Sequence, residues 1–251
     1  MKGVILSAGL GSRFGSYTEK EHKLLLTVGD FPIIDHTLRA FFQAGIVNVG
    51  LVTGFMSDRI TDWVGDGSQY GLKIETIFNK NYTFGNALSV QMAQSFVDGQ
   101  EFILAMGDHM ASSSLINNVM KFGGDHQCNV LGVDFDLTSY NAHEATRVLV
   151  EDKEKISSIG KQIKIWNGID SGVFRFTSEI YEVITQWVSC DKSERYELGD
   201  VLAYFIDQGG LLKSCDISGE FWRDIDNPED LERLRVRNLQ HDYKSVEVEN
   251  W

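Results

Sequence analysis

The chain has 251 residues, 43% hydrophobic and 24% charged, enough to bury a full core without disulfides and better suited to one large α/β domain than to two small ones. Its formal net charge of −13 argues against a nucleic-acid partner, which needs clustered Lys and Arg, but leaves room for a phosphorylated small molecule held locally. Cys128, Cys190 and Cys215 lie far apart without CxxC spacing, which disfavours a zinc site, and no apolar stretch approaches the ~20 residues of a membrane helix, so a cytoplasmic protein with reduced thiols and no membrane insertion is expected.

Along the chain, short apolar runs alternate with amphipathic stretches. Lys2 to Leu6 reads as a buried strand that ends at a glycine loop. Ile33 to Ala44 reads as a helix, because Ile33, Ile34, Thr37, Leu38, Phe41 and Phe42 share one face, and Gly45 supplies its stop. Val47 to Thr53 is a strand, Ser57 to Val64 a short helix, Lys73 to Phe78 a strand, and Asn86 to Val97 a helix. Glu101 to Met106 is a further strand, ending at Gly107-Asp108. This alternation predicts a Rossmann-like α/β fold, a mixed and mostly parallel sheet with helices on both faces. After about residue 128 the connections tighten. Val130 to Asp134, Arg147 to Glu151, Lys155 to Ile159 and Val173 to Phe176 read as strands, and Ser178 to Val188 and Glu197 to Asp207 as helices. Phe221 to Asp226 reads as a last strand, and Asn227-Pro228-Glu229-Asp230 as a helix start with Asn as cap and Pro at the first position. One domain is expected over 1–251, with a nucleotide-binding half (1–127) and an acceptor-binding half (128–251).

The loop SAGLGSRFGS follows the first strand. Gly9, Gly11 and Gly15 let a backbone approach an anion and aim N–H groups at it. Three phosphate loops compete for this pattern. A P-loop needs Gly-Lys followed by Ser or Thr, which is absent. A dinucleotide fingerprint needs GxGxxG and an acid ending the second strand, whereas this loop is GxGxxxG and the strand ends Val52-Thr53-Gly54. The third is a nucleotidyltransferase loop, with an Arg inside the turn and a Lys about ten residues later, and Arg13 and Lys23 fit it. A tight turn with no ligand is the bland alternative.

The segment SAGLGSRFGSYTEKEHKLLLTVGDFPIIDHTL resembles the opening signature of the nucleotidyltransferases that make nucleotide-activated sugars and alcohols, (L/S)AGxGxRxxx…PKxLxxxxxxPxI. The proline of that pattern is His22 here, and the turn before it is longer. The resemblance implies a fold of the nucleotide-diphospho-sugar transferase type. GDH at Gly107 to His109, with EATRVLVED, ISSIGK, WNGIDSGVF and FWRDIDNPED, is similar to the inositol-1-phosphate cytidylyltransferases, which join CTP to L-myo-inositol 1-phosphate and release pyrophosphate. The chain ends at residue 251 without a membrane segment, so the free-standing form of such an enzyme is expected, and a homo-oligomer is compatible with the sequence.

Transfer of this kind needs alignment and charge neutralisation by Mg²⁺ and cationic side chains more than covalent help. Asp108, at the carboxyl end of a strand, is placed to bind the metal. Period two along FWRDIDNPED puts Trp222, Asp224 and Asp226 on one face, so at least one of the two acids is expected to bind metal, Asp224 being favoured by its match to the family position. Asp226 could equally cap the next helix. The resemblance further implies that Ser7, Ala8 and Gly9 contact base and ribose, that Gly11, Ser12, Arg13 and Lys23 hold the triphosphate, and that Gly85 and Asn86 close over the base. Asn86 could instead cap its helix. Lys161 falls where relatives place a lysine against the acceptor's phosphate, against the alternative of a hairpin surface lysine. Asp170 and Glu144 could bond acceptor hydroxyls. His109 needs no general-base role, since a phosphate monoester is already ionised near neutral pH; it reads as shaping the acceptor site or bonding a phosphate or metal-bound water. Phosphocholine, aminoethylphosphonate and sugar 1-phosphates stay open as acceptors. A choline cage could draw on Tyr82, Phe84, Tyr140, Trp166 and Phe174. A non-catalytic nucleotide-binding regulator is the reading from another class, opposed by Arg13, Lys23, Asp108 and Asp224.

Overall fold

The computed structural model describes residues 1–124, 128–137, 145–151, 154–190 and 195–239. The strands are β1 (Lys2–Ser7), β2 (Thr27–Val28), β3 (Phe31–Pro32), β4 (Asn48–Thr53), β5 (Lys73–Phe78), β6 (Phe102–Met106), β7 (His109–Ala111), β8 (Asn129–Asp134), β9 (Arg147–Glu151), β10 (Lys155–Gly160), β11 (Gly168–Phe176), β12 (Leu212–Asp216) and β13 (Trp222–Asp224). The helices are α1 (Ile33–Gln43), α2 (Ser57–Val64), α3 (Asn86–Met92), α4 (Gln94–Val97), α5 (Ser113–Lys121), α6 (Glu179–Cys190), α7 (Leu198–Asp207) and α8 (Pro228–Leu239). One nine-stranded sheet runs in the order β5-β4-β1-β6-β11-β8-β12-β10-β9. Within it only β11 and β10 oppose the direction of the rest. The sheet is mixed: among the described residues four of its pairings are parallel and five antiparallel, so the mostly parallel pairing expected from sequence is confined to β5, β4, β1 and β6 and to β8 with β12.

Alternation along the strands builds the two faces. Val4 and Leu6 of β1 and Phe102 and Leu104 of β6 join one core, against α3, α4, α6 and α7. Ile5, Ile103 and Ala105 join the other, against α1, α2, α5 and α8. Helices on both faces follow, because both faces are apolar. Gly45 takes a φ of 83° just past α1 and ends it as expected. At α8 the predicted cap forms: Asn227 Oδ1 accepts from Asp230 N at 3.0 Å, and Asp230 Oδ2 accepts in return from Asn227 N at 3.2 Å.

Several elements differ from expectation. The helix predicted over Asn86–Val97 breaks at Ala93, whose ψ is −1°, where Phe96 lies over Gly50. Three elements fall outside the expectation: β7 and β12 are short, while α5 has an apolar face of Leu115, Ile116 and Val119 behind a Ser112 cap. The strand predicted over Phe221–Asp226 shrinks to β13, which pairs antiparallel with β7 so that Asp224 stands opposite His109. β11 begins earlier than expected and carries a bulge: Asp170 pairs with Val133 and Phe174 with Leu131, leaving Ser171, Gly172 and Val173 against one residue.

Trp222 links β13 to the sheet. It is buried, and its Nε1 donates to Asp134 Oδ2 at 2.9 Å, at the end of β8. Replacing it by Phe keeps most of the bulk but leaves the buried Asp134 oxygen unsatisfied. Trp222→Phe is expected to lower the unfolding free energy by ~1–3 kcal/mol, read from urea denaturation. An unchanged midpoint would show that this tie does not hold β13 in place.

Candidate active site

A cavity of about 1100 Å³ opens where β1 and β6 end, at the carboxyl edge of the sheet. The glycine loop forms one wall, and Ala8, Gly9, Gly11, Ser12 and Arg13 all line the cavity. Gly11 adopts a φ of 61°, and a Cβ there would stand 3.1 Å from the Cβ of Lys23, so the loop lies directly on that lysine. Ser7 sits behind this wall. Its Oγ donates to Val52 O at 2.8 Å, which turns the hydroxyl into the sheet.

Lys23 is buried and enters the cavity from a short 3-10 turn, Lys23–Leu25. Its Nζ donates to Asp108 Oδ2 at 2.6 Å and stands 3.7 Å from Asp226 Oδ1. Arg13 donates to the other Asp226 oxygen at 2.6 Å. Burial alone would favour the neutral amine, but Asp108 outweighs it, helped by Asp224 and Asp226, and Lys23 holds its proton above the ordinary lysine range. Burial likewise works against the Asp108 carboxylate, and Lys23 and then His109 reverse it, so this acid ionises more readily than usual. Of the two acids of which at least one was expected to bind metal, Asp226 faces Arg13 and Lys23 while Asp224 faces His109. The carboxylates divide because two cations lie nearer to one of them.

The turn that carries Lys23 is capped by His22, in the place where the family pattern has proline. His22 is 1% exposed, and its Nδ1 accepts from Leu24 N at 3.1 Å. Its proton therefore belongs on Nε2. Burial, reinforced by Lys23, pushes the ring down to about 4, so it is neutral beside the lysine. Nothing local in the sequence marks this cap; the signal available was only the departure from proline.

On the other wall, Asp108, His109 and Asp224 offer ligand atoms that lie within 4.8 Å of one another. His109 Nε2 stands 3.4 Å from Asp224 Oδ1 and 3.9 Å from Asp108 Oδ1. Burial opposes charge on His109, yet Asp224 and Asp108 together raise its proton affinity. Asp224 is raised too, by burial first and then by its acidic neighbours, and its Oδ1 is buried without a hydrogen bond. Asp170, on the β11 bulge, accepts from Gly172 N at 2.7 Å, and burial pushes it up to about 6.

Lys161, in the turn after β10, and Asp170 both line the cavity, opposite the glycine loop. Gly85 and Asn86 reach its rim, but Asn86 does not cap its own helix: Oδ1 accepts from Leu198 N at 2.6 Å, at the start of α7. That bond, with Tyr196 N to Phe84 O at 2.7 Å, straps residues 195–198 to the Gly85 loop and brings Arg195 and Glu197 to the cavity. Neither was singled out from sequence, since only this strap places them. Glu144 and Tyr140 lie outside the described residues. Of the other aromatic candidates Tyr82 and Phe174 line the cavity, while the Arg147 guanidinium stands 5.4 Å over the Trp166 ring.

Comparison with known sequences places this architecture. The nucleotidyl transferase family matches residues 2–240. The chain belongs to the nucleotidyl transferase family. It is 31% identical over 235 residues to a "Bifunctional IPC transferase and DIPP synthase" of Thermococcus kodakarensis, covering 93% of this chain and 50% of that protein. A glucose-1-phosphate thymidylyltransferase of Streptomyces griseus is 28% identical over 244 residues, covering 95% of this chain and 66% of its own. The chain thus spans about half the length of the bifunctional relatives it matches. Among solved structures, the inositol-1-phosphate CTP transferase from T. maritima superimposes with a TM-score of 0.81 at 25% identity, covering 96% of each chain.

The His22 cap yields a stability prediction. In the folded chain its proton affinity lies below the ordinary value of 6.5, so the unfolded chain binds more protons between about pH 6.5 and 4. His22 therefore favours folding fully above that window and loses the contribution as pH falls through it, up to ~3 kcal/mol. The difference in unfolding free energy between wild type and His22→Asn, measured from pH 7.5 to 4, is expected to shift by about that amount in favour of the variant. A pH-independent difference would mean the ring is not held neutral.

Proposed function

We propose that this site transfers a cytidylyl group from CTP to a small phosphorylated alcohol, inositol 1-phosphate in first place, and releases pyrophosphate. The observation that carries the reading is the convergence of Arg13, Lys23 and Asp108 on one cavity beside the glycine loop, in a fold shared with the T. maritima inositol-1-phosphate CTP transferase. In this reading residues 1–127 supply the nucleotide side and residues 128–251 the acceptor side, with Asp224 crossing back.

The acceptor's phosphate oxygen attacks the α-phosphorus. A new P–O bond forms there as the bond to the β-phosphate oxygen breaks, and pyrophosphate carries away the electron pair. The acceptor phosphate is already ionised, so no side chain needs to take a proton. Arg13 and Lys23 would exchange Asp226 and Asp108 for phosphate oxygens as CTP enters, and would then stabilise charge building on the leaving group. Arg13 is half exposed, so its partner exchanges at little cost. Lys161 would hold the acceptor's phosphate and Asp170 a hydroxyl.

The unsatisfied Asp224 Oδ1 fits a cation between Asp224 and Asp108. Held there, Mg²⁺ would neutralise phosphate oxygens near the reacting phosphorus. The phosphocholine alternative would draw on Tyr82 and Phe174, which line the cavity, while the Arg147 guanidinium stands over Trp166. The three cysteines carry free thiols, which suits a reducing cytoplasmic setting. Among the described residues no helix is long and apolar enough to cross a membrane.

Pyrophosphate release is the direct test, with CTP, UTP, ATP, GTP and dTTP each paired with inositol 1-phosphate, phosphocholine, aminoethylphosphonate and glucose 1-phosphate. Turnover is expected with CTP and inositol 1-phosphate; release with no CTP-containing pair would remove the reading, and release with phosphocholine alone would replace the acceptor. Asp108→Asn and Lys23→Ala are each expected to cut turnover by at least ~100-fold. Asp170→Asn is expected to raise KM for the acceptor by about tenfold while leaving KM for CTP in place, since a lost hydroxyl contact costs about that much. A matching rise for CTP would take Asp170 out of the acceptor site.

A further inference from the structure

The feature of this site that phosphate chemistry does not require is a histidine held against two carboxylates. His109 is clamped from three directions. Its Nδ1 stands 2.7 Å from the carbonyl oxygen of Ser171, which can only accept, so Nδ1 carries the proton of that bond. Trp222 stacks along the ring, centroids 6.1 Å apart and planes 28° from parallel. Above Nδ1 lies Gly172 of the β11 bulge, with a φ of 75°, where a Cβ would come within 2.2 Å of that nitrogen. The bulge thus leaves room for the ring and at the same time delivers the carbonyl that orients it.

The consequence is that Nε2 points at the acids, 3.4 Å from Asp224 Oδ1 and 3.9 Å from Asp108 Oδ1. An imidazole with one nitrogen tied to a backbone carbonyl and the other facing carboxylates is the arrangement by which proteins orient a metal-bound histidine. The buried Asp224 Oδ1 makes no hydrogen bond even to this near neighbour. It points into the cluster, at ion-pair distance from His109 Nε2 but outside hydrogen-bond geometry.

We propose that His109 is a third ligand beside Asp108 and Asp224, and that its nitrogen makes this site prefer a first-row transition ion such as Mn²⁺ over Mg²⁺. Two carboxylates alone form the all-oxygen set that suits Mg²⁺; an added imidazole favours the ions that accept nitrogen donors. The inference rests on Asp108 and Asp224 as metal-holding carboxylates, and it is independent of which nucleotide or acceptor is used.

The test is metal binding to the purified full chain, with Mn²⁺ alone and Mn²⁺ with CTP. Pulsed EPR of the Mn²⁺-loaded protein is expected to show coupling to an imidazole nitrogen, converted to ¹⁵N coupling in protein labelled with [¹⁵N]histidine and absent in His109→Asn and His109→Gln. By calorimetry, wild type is expected to bind Mn²⁺ at least ~10-fold more tightly than Mg²⁺, and the variants to lose at least ~10-fold for Mn²⁺ but less than ~3-fold for Mg²⁺. Far-UV circular dichroism melting checks that the variants fold, and the wild-type coupling stands without them. Bound Mn²⁺ with no imidazole coupling overturns the proposal, as does an equal loss of both ions in the variants. Failure to bind Mn²⁺ in either condition overturns it together with the metal assignment. Coupling to nitrogen in a protein that releases no pyrophosphate from CTP upholds the ligand set and removes the substrate reading instead.

Discussion

Asp108, Asp224 and Asp226 converge at one edge of the sheet, and the rest of the site is arranged around the need to place positive charge among them. Side by side in a partly dry cleft, three carboxylates repel one another by several kcal/mol unless cations intervene. Lys23 and Arg13 answer for Asp108 and Asp226, and His109 stands against Asp224. The triphosphate of the proposed reaction would bring more negative charge to the same place. It can bind only if these cations turn from the acids toward the phosphates, or if a metal ion enters. In the proposed reaction, phosphate oxygens and a metal ion would take the places these ion-pair partners hold.

That balance depends on buried scaffolding that touches no substrate. Lys23 reaches Asp108 because a 3-10 turn aims it there, and the turn is capped by a neutral histidine. Asp224 reaches His109 because β13 pairs with β7, and Trp222 anchors β13 through Asp134. The β11 bulge adds the carbonyl that orients His109. Each support is an apolar or hydrogen-bonded contact, made beneath the cavity floor by His22 and along its wall by Trp222 and the β11 bulge.

The first half of this architecture, residues 1–127, was legible in the residues. The first strand, the loop after it, α1 with its Gly45 stop and the strand ending at Asp108 all carry a period or a terminator within a few residues. The Asn227 cap was equally local, and it formed as the sequence implied. β7 and β12 escaped because they are short, and they exist through their partners: β12 runs parallel to β8, and β7 pairs with β13; α5, by contrast, carries a local signal, an apolar face behind the Ser112 cap. The aromatic cage considered for choline came from composition, and the structure puts Arg147 over Trp166.

Within the site, the residue types and their places at strand ends were set by sequence alone, since a catalytic edge in an α/β sheet follows from strand direction and a loop pattern. Asp108 could be named from that, and Arg13 and Lys23 from the resemblance to the nucleotidyltransferase signature. Which carboxylate answers to which cation was decided only by tertiary structure. Asp224 and Asp226 are nearly equivalent as a period-two pair, yet β13 ends between them and sends one to His109 and the other to Arg13 and Lys23. Asn86 illustrates the same limit: a helix-start asparagine by sequence, it bonds the amide of Leu198 on a helix that packs beside it. Local pattern specifies which chemistry is present; pairing between distant segments specifies its geometry, because hydrogen bonds and ion pairs act over a few ångströms that only the folded chain defines.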